Sequence, residues 1–576
     1  MTNSARLSGR PSSSAAYNVG DVVDTPDSAI KSWRYLGAGE WEPNDAVRYT
    51  TGPGGGNRLS VGGRAFDVPV LAGRYRTLAP SAEGQYISDL TAAGAAVTLL
   101  GISGGTANYD LITLPDGSRK WGLRMKTKAS AKVNVDFAIS RAFAADDVIE
   151  IDLLAERGQQ VNVYLTANNL SSYLRLDASA AAAGLKYTTQ PGIVTMRFAR
   201  SSMSKTGTVA DDEVFNLLRV NPWNTTLMHS GEVVLLGVRV NRKERPRILF
   251  TTDDGLISAH WLAEQLKAVG CSLTANIITE RPSAPPAGYM SWEQVAALKA
   301  IGNVQIASHS HAHIYVNGGT VGTVYGSTVD GVALSQTVAA GALLLNGTIG
   351  SAAFDKPRHI TLTCTGAKVG ISVDVVGELN GAAVTETMWM TTTNTYPHPS
   401  VNVYDKITSL TVNLNGLVAS GTVKFGTSCS YDEIYYDIKR SFDELESRGL
   451  IDERHYCAPQ GQWNHTLWCV LKALGVKTCR LTDQAPVVLS GITDMYALPA
   501  VQWEASGYAN AGTQVTYAVN GGQSLVIYTH EISEENRALV APVIAQVGAL
   551  VASGAATSPT IQQMYAETEP SYYAAI

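Results

Sequence analysis

Hydrophobic and polar positions along the chain change their period at three places. From about residue 106 to 244, short alternating or apolar runs such as AKVNVDFAIS and GIVTMRFAR are separated by turn residues. This spacing predicts an all-β sandwich of the jelly-roll kind, a module that binds carbohydrate or serves as a spacer. At Pro246 the pattern changes, and apolar runs such as ILFTT alternate with amphipathic segments such as SAHWLAEQLKAVG. Alternation of this kind predicts βαβ units and a parallel sheet.

The α/β pattern stops near Tyr315 and resumes near residue 429. Between these points the chain is rich in Thr, Val, Gly and Asn, and pieces such as VGISVDVVG alternate as strands do. We therefore predict a β domain inserted into a loop of the α/β domain, because closely spaced loop ends tolerate insertions. With about five or six strands in its two halves, the α/β domain is predicted to form an incomplete (β/α) barrel.

The predicted organisation is multidomain, since 576 residues exceed one ordinary domain. Residues 1–60 are rich in Ser, Gly and Pro and are predicted to be a flexible or anchoring segment. The β-sandwich is assigned to 61–244. The α/β domain takes 245–315 with 429–576, and the inserted β domain takes 316–428.

Composition excludes several classes of protein. The formal net charge is −6 and only 16% of residues are charged, which argues against nucleic acid as the main partner. We see neither a membrane-spanning apolar run nor the apolar core of a signal peptide, so a role outside the cell requires release by lysis or on a particle. The six cysteines lack CxxC spacing, which predicts buried free thiols made in a reducing cytoplasm.

Two polar clusters directly follow predicted strands. Asp253 and Asp254 come after ILFTT, and His309 and His313 come after VQIA. The carboxyl ends of parallel strands are where catalytic groups gather in α/β proteins. A carboxylate with two imidazoles is a ligand set typical of zinc. The sequence therefore predicts a metal site at this end of the sheet.

Residues 246–315 with 429–575 resemble the polysaccharide deacetylases of the NodB-homology type, carbohydrate esterase family 4. TTDDG at 251–255 is similar to the family's T-F-D-D-G, and HSHAH at 309–313 to its H-S/T-x-x-H. LVIYTH at 525–530 resembles its final strand, which ends in histidine.

This resemblance implies a hydrolase that uses Zn²⁺ or another divalent transition metal. Asp254, His309 and His313 would be the metal ligands. Asp253 would be the general base, and His530 the general acid that protonates the leaving group.

The family motif R-x-P-Y/F-G is replaced here by CAPQG at 457–461. Cys457 cannot orient the base carboxylate as the family arginine does. We predict that Arg480, at the end of the strand KTCRLT, supplies the missing cation. The resemblance also implies that the N–H of Gln460, just after Pro459, stabilises the oxyanion.

Two tryptophans lie on predicted loops near the strand ends. An aromatic face there can stack on a sugar ring, and a half-buried place in the core is the alternative. Asp483 and Asp494 are both candidates to orient His530, and no motif chooses between them. The predicted substrate contacts are Pro459, Trp463 and Trp503.

The function predicted from these residues is metal-dependent removal of acetyl groups, from an amide or an ester, on an acetylated bacterial polysaccharide such as capsule or O-antigen. The β-rich architecture resembles that of bacteriophage tail-fibre or tailspike proteins. On this interpretation the N-terminus binds phage tail or virion proteins and the chain forms a homotrimer. It is made in the host cytoplasm and acts, on the virion, at the bacterial surface.

Two alternatives come from other classes. The first is a non-catalytic glycan- or receptor-binding tail protein whose deacetylase module has degenerated, as the substitution at Cys457 allows. The second is a cellular hydrolase of the same fold that acts on a small amide.

Overall fold

A computed structural model gives the fold of the chain. Beyond residue 133 it describes 134–144, 147–155, 160–167, 171–176, 192–200, 203–223, 231–242, 244–318, 326–366, 371–390, 397–482, 493–504 and 508–568. Before that residue it describes the strands Ala5–Arg6, Val22–Asp24, Ser32–Gly37, Glu40–Pro43, Val47–Thr51, Asn57–Val61, Arg64–Asp67, Tyr75–Arg76, Gln85–Ser88, Val97–Thr98, Ser103–Thr113 and Arg119–Lys132. The prediction for 1–60 falls mostly outside these residues and stays a prediction.

An antiparallel β structure precedes the parallel sheet. One group of neighbouring strands contains, in spatial order, Ser103–Thr113, Arg119–Lys132, Gly231–Arg242, Asp147–Ala155 and Gly192–Ala199. A second group contains Val135–Ala142, Val214–Trp223, Gln160–Thr166, Tyr173–Leu176 and Ser204–Thr206. Apolar side chains from both groups, among them Phe137, Ile151 and Leu218, share one buried cluster. The two groups therefore pack on a common core.

Seven parallel strands form the sheet that carries the candidate site. They are β1 (Ile248–Thr252), β2 (Leu273–Ile277), β3 (Val304–Ser308), β4 (His455–Cys457), β5 (Thr478–Arg480), β6 (Val501–Gln502) and β7 (Leu525–Thr529). Their spatial order is β5-β4-β3-β2-β1-β7-β6, an open, curled half-barrel. Every residue of β1, β2 and β7 is buried, as expected for strands covered on both faces.

Helices flank this sheet, and some of them begin at side-chain caps. They are α1 (Ser258–Ala268), α2 (Trp292–Ala300), α3 (Tyr431–Ser447), α4 (His465–Ala473), α5 (Tyr508–Gly521), α6 (Arg537–Ala552) and α7 (Ile561–Ala566). The Ser291 side chain accepts a hydrogen bond from the Gln294 N–H and starts α2, and the Asn464 side chain accepts one from the Leu467 N–H and starts α4. None of the described helices combines membrane-spanning length with a sufficiently apolar sequence.

The chain leaves the parallel sheet after β3 and returns to it through α3. Two four-stranded antiparallel sheets lie between these points. One contains Thr328–Thr337, Thr422–Thr427, Arg358–Thr365 and His398–Tyr404, and the other contains Gly341–Ala342, Lys406–Asn413, Ser372–Leu379 and Ala382–Trp389. Their buried apolar side chains belong to the same cluster as those of the parallel sheet. The fold is thus multidomain and mostly β, with one core shared by the sheet and the insertion.

A buried arginine joins the insertion to α3. The Arg358 side chain is 1% exposed and donates two hydrogen bonds to the Glu433 carboxylate, at 2.8 and 2.9 Å. It also donates to the Ser428 carbonyl at 3.0 Å. Beside it, His359 Nε2 lies 2.8 Å from Thr466 Oγ1 on α4. Paired, charge-assisted hydrogen bonds of this kind fix geometry strongly, so the insertion is held in one orientation.

Replacing Arg358 by alanine should lower the free energy of unfolding by about 3 kcal/mol, because the Glu433 carboxylate is left in the interior without its cation. Lys356→Ala is the matched control, since Lys356 pairs with Asp432 at 3.3 Å on the surface of the same interface. That change should cost less than about 1 kcal/mol. Urea unfolding followed by tryptophan fluorescence measures both, and equal losses would contradict the role given to Arg358.

Candidate active site

Three potential metal ligands meet at the carboxyl ends of β1 and β3. Asp254 Oδ1 lies 3.5 Å from His309 Nε2 and 3.6 Å from His313 Nε2. Two ligand atoms on a tetrahedral zinc ion lie roughly 3.3 Å apart, as follows from zinc–ligand distances near 2.0 to 2.1 Å. Asp254 Oδ1 is buried and has no hydrogen-bond partner among the described residues. These three residues, called the metal triad below, therefore fit a divalent cation.

Strained backbone brings the histidines together. Ser310 and His313 have φ angles of 64° and 55°, in the left-handed region that side chains other than glycine rarely occupy. The buried carboxylate of Asp437 on α3 closes the turn, because it accepts the N–H groups of His311 and Ala312 at 3.0 Å each. The turn is thus fixed by a carboxylate from α3, through the backbone between the two histidines.

Hydrogen bonding and burial prepare both imidazoles as metal ligands. His309 Nδ1 lies 2.9 Å from the Cys457 carbonyl oxygen, so this nitrogen carries the proton and Nε2 presents its lone pair to Asp254. Burial lowers the pKa of His313 to about 4. Burial would raise the pKa of Asp254, but the two imidazoles outweigh it and lower this pKa. A carboxylate and two neutral imidazoles are what zinc requires.

Asp253 lies beside the triad and is held by a cation. The Arg480 guanidinium contacts both of its carboxylate oxygens, and Asn276 Nδ2 donates to Oδ1 at 2.9 Å. Burial alone would raise the pKa of Asp253, but the charge of Arg480 above all outweighs it and holds this pKa below its ordinary value. Asp253 is therefore an ionised, oriented carboxylate.

Arg480 comes from the strand next to Cys457. The two residues are partners in register between β4 and β5, and the Arg480 guanidinium contacts the Cys457 sulfur. Its Cζ also lies 4.4 Å from the centre of the Tyr528 ring. Burial raises the pKa of the Cys457 thiol, so the sulfur is uncharged. The structure thus places a cation beside Asp253, one strand away from the position that the family arginine would occupy.

His530 follows β7 and is held by a carboxylate. The backbone N–H of His530 donates to Glu504 Oε1 at 2.6 Å, and the ring Nδ1 lies 3.6 Å from the same oxygen. Hydrogen bonding to Glu504 raises the pKa of His530, and the charges of Asp253 and Asp254 add to this effect against burial. The side chain is 40% exposed, which leaves the ring accessible.

Sequence reasoning missed Glu504. Asp494 instead accepts the Tyr496 N–H at 3.0 Å, and Asp483 lies outside the described residues. Glu504 comes two residues after β6, the sheet neighbour of β7. A carboxylate at that strand end is the signal that could have identified it.

The turn Pro459–Gly461 lies next to the metal triad. Pro459 is buried, and Gln460 has a φ of 54°. The Gln460 side-chain amide donates to the Tyr315 hydroxyl, and the Tyr315 ring packs edge-on against His313 at 5.3 Å. Gln460 therefore lies one side chain away from a ligand histidine.

The two predicted aromatic contacts have different surroundings. Trp463 is half-buried and packs against the core, and its carbonyl accepts a hydrogen bond from Asn317 at 3.1 Å. Trp503 is fully buried against Phe250, with ring centres 5.6 Å apart. The prediction that Trp503 stacks on a sugar is wrong, because no face of its ring reaches solvent.

The zinc content of variants checks the metal triad. Asp254→Ala and His309→Ala should each lower bound zinc from about one equivalent per chain to near zero, because each removes one of only three protein ligands. Asp253→Asn should retain zinc. His260→Ala is the control, since His260 Nε2 lies 3.0 Å from the Gln294 carbonyl oxygen, away from the triad. Full zinc content in Asp254→Ala would disprove the assignment; elemental analysis of the purified chains provides the measurement.

Comparison with known proteins gives distant structural similarities. No family model matches the chain, and no curated protein matches it. A family 4 carbohydrate esterase from Streptomyces lividans in complex with acetate is 13% identical over 55% of this chain and 93% of its own, with a TM-score of 0.25. The BpsB deacetylase domain from Bordetella bronchiseptica is 14% identical over 49% and 72%, with a TM-score of 0.22. A family 11 carbohydrate-binding module from Clostridium thermocellum is 10% identical over 28% and 96%, with a TM-score of 0.22. At these TM-scores the similarities carry no argument about function, which depends on the residues of the site.

Proposed function

We propose that the chain is a metal-dependent hydrolase that removes acetyl groups from a polysaccharide. The observation that carries this proposal is the metal triad, with its buried and unpartnered Asp254 oxygen, between an ionised carboxylate and a histidine. Asp253 follows β1 and His530 follows the neighbouring strand β7, so the parallel sheet brings these two sequence-distant residues to adjacent strand ends. A metal centre flanked by a proton acceptor and a proton donor is suited to hydrolysis of an acyl group.

The metal triad would hold zinc or another divalent transition metal. Such an ion, when bound, polarises a carbonyl and makes a water molecule acidic enough to attack near neutral pH. The remaining chemistry belongs to side chains of this chain.

Asp253 takes the proton of the attacking water. Arg480 keeps the Asp253 carboxylate ionised and fixes its direction, and it also lowers the basic strength of that carboxylate. Proton transfer therefore depends on a water molecule that is already acidic. The absence of an arginine at position 457 suggested a degenerate, non-catalytic module as the alternative. Because Arg480 supplies a cation to Asp253, the catalytic interpretation is favoured over that alternative.

His530 supplies a proton to the leaving group. The imidazolium donates it to the departing nitrogen or oxygen as the bond to the acetyl carbon breaks, so an amide and an ester are both suitable substrates. Glu504 stabilises the protonated ring before this step. The Gln460 N–H is the expected donor to the oxyanion, and such donors are worth about 3 kcal/mol of the barrier.

We also propose a bacterial surface polysaccharide as the substrate and a phage tail as the setting. Support comes from the architecture, in which an antiparallel β structure precedes the parallel sheet and a two-sheet β insertion interrupts it. Homotrimer formation and attachment through the N-terminus belong to the same proposal. Detection of the chain in purified virions would test the setting.

Acetate release tests the function directly. The zinc-loaded chain should release acetate from N- or O-acetylated bacterial polysaccharides, and a chelator should abolish the release. Asp253→Asn should lower kcat by about 10²- to 10⁴-fold with zinc retained, because a general base contributes about this much. His260→Ala should keep the wild-type rate. A zinc-loaded wild-type chain that releases no acetate from a broad panel of such polymers would refute the proposal.

The pH profile tests the pairing of His530 with Glu504. A general acid must be protonated, so kcat should fall as the pH rises through the pKa of His530. Glu504 raises that pKa, and Glu504→Gln should therefore move the fall to lower pH. Glu531→Gln, next to His530 in sequence, is the control and should leave the profile in place. An unchanged profile in Glu504→Gln would exclude His530 as the acid.

A further inference from the structure

The loop between β2 and α2 is hydrogen-bonded to the turn at 309–313, which carries the two histidines of the metal triad and is called the histidine turn below. The Thr279 N–H donates to the Ser310 carbonyl at 3.2 Å, and the Glu280 N–H donates to the His311 carbonyl at 3.0 Å. These two hydrogen bonds join the first residues of the loop to the backbone between the ligand histidines. Arg281, the next residue, is therefore located beside the site by backbone contacts.

The C-terminal end of the same loop is hydrogen-bonded to the segment that follows Asp254. Tyr289 forms an antiparallel bridge with Leu256, and the Met290 N–H donates to the Gly255 carbonyl at 3.0 Å. The loop thus spans from one ligand-bearing segment to the other and borders the metal triad. None of the residues of this loop has a role in the hydrolysis described above.

Among the described residues, Arg281 is a cation without a protein anion. Its guanidinium carbon lies 5.5 Å from the centre of the Tyr289 ring, and the side chain is half-buried. Its Nε is shielded from solvent and has no hydrogen-bond partner, and no carboxylate within the described ranges forms an ion pair with the side chain. The two terminal nitrogens are not shielded in this way, so the outer edge of the guanidinium is available to a ligand.

Backbone hydrogen bonds at both ends of the loop place this pair beside the metal triad. Arg281 directly follows Glu280, whose N–H is bonded to the backbone between the two histidines, and Tyr289 is bridged to Leu256, two residues after Asp254. A polymer bound at the triad can therefore extend past the guanidinium.

The chemistry of a guanidinium edge identifies the class of ligand. Arginine binds a planar carboxylate through two parallel hydrogen bonds, and it retains its charge at every accessible pH. On a sugar chain, the carboxylate of an acidic sugar residue has this shape and charge. An aromatic ring beneath the cation adds an apolar surface for the sugar.

We propose that Arg281 binds the carboxylate of an acidic sugar residue adjacent to the acetylated one, so that the substrate is an acidic polysaccharide. This inference rests on the proposed deacetylase function and specifies its substrate class. Arg281 is a specificity residue, since the reaction itself requires none of its atoms.

Two probes that differ only in charge test the inference. They are an acetylated oligogalacturonate and the same oligomer after reduction of its carboxylates to hydroxymethyl groups. The zinc-loaded full chain should bind the acidic probe at least about tenfold more tightly, as expected for hydrogen bonds to a charged group. Arg281→Gln should abolish this difference without changing affinity for the reduced probe, and Arg281→Lys should restore part of it. Calorimetry measures binding, and acetate release gives kcat/KM for each probe.

A matched arginine provides the control. Arg454 lies 5.3 Å from the centre of the Phe442 ring and is bound to Glu446 at 2.6 Å. It precedes β4 and so lies at the end of the sheet opposite the site. Arg454→Gln should leave the preference for the acidic probe intact. If it removed that preference to the same extent as Arg281→Gln, the effect would be general and the inference would fail.

The outcomes separate the two proposals. The role of Arg281 would be overturned if the wild-type chain bound both probes with equal affinity. It would also be overturned if Arg281→Gln weakened the binding of both probes equally, because a residue that only supports the loop affects the two affinities alike. Acetate release from both probes at equal kcat/KM would refute the anion site and leave the hydrolase in place. Arg281-dependent binding of the acidic probe without acetate release would refute the hydrolase and leave the anion site in place.

Discussion

The rest of the site depends on one constraint. Three electron-donating atoms, one from each residue of the metal triad, are held close together in a buried place. A carboxylate oxygen at the end of β1 lies 3.5 and 3.6 Å from the imidazole nitrogens of two histidines that follow β3. Buried polar atoms without partners are costly, so the surrounding structure must enforce this geometry. It does so through left-handed backbone at Asp254, Ser310 and His313 and through the Asp437 carboxylate beneath the histidine turn.

The neighbourhood of these atoms is organised by compensation of buried charge. Arg480 and Asp253 are both buried, and each would be unfavourable in the interior alone. Their contact keeps the carboxylate ionised, and the uncharged Cys457 thiol donates to Asp253 Oδ1 at 3.7 Å. Glu504 has the corresponding role for His530. Two residues that would exchange protons with a substrate thus each have a partner of opposite charge from another strand of the same sheet.

Sequence reasoning succeeded where a residue directly follows a long apolar strand. Because β1, β2 and β3 are parallel neighbours, Asp254 and the ligand histidines had to arrive at one edge of the sheet. It failed where the strand is short: β6 has only two residues, so Trp503 looked like a loop residue and Glu504 was not linked to His530. Arg281 carries no motif, since its position follows from backbone hydrogen bonds made by other residues.

The insertion between β3 and α3 shares its apolar core with the parallel sheet. A segment of this kind cannot be removed by itself, because trimming it would open the interior of the protein to water. Its sequence must therefore change in step with the helices on which it rests. Transplantation of the parallel-sheet half alone into another scaffold would require redesign of the faces of α3 and α4 that the removal exposes.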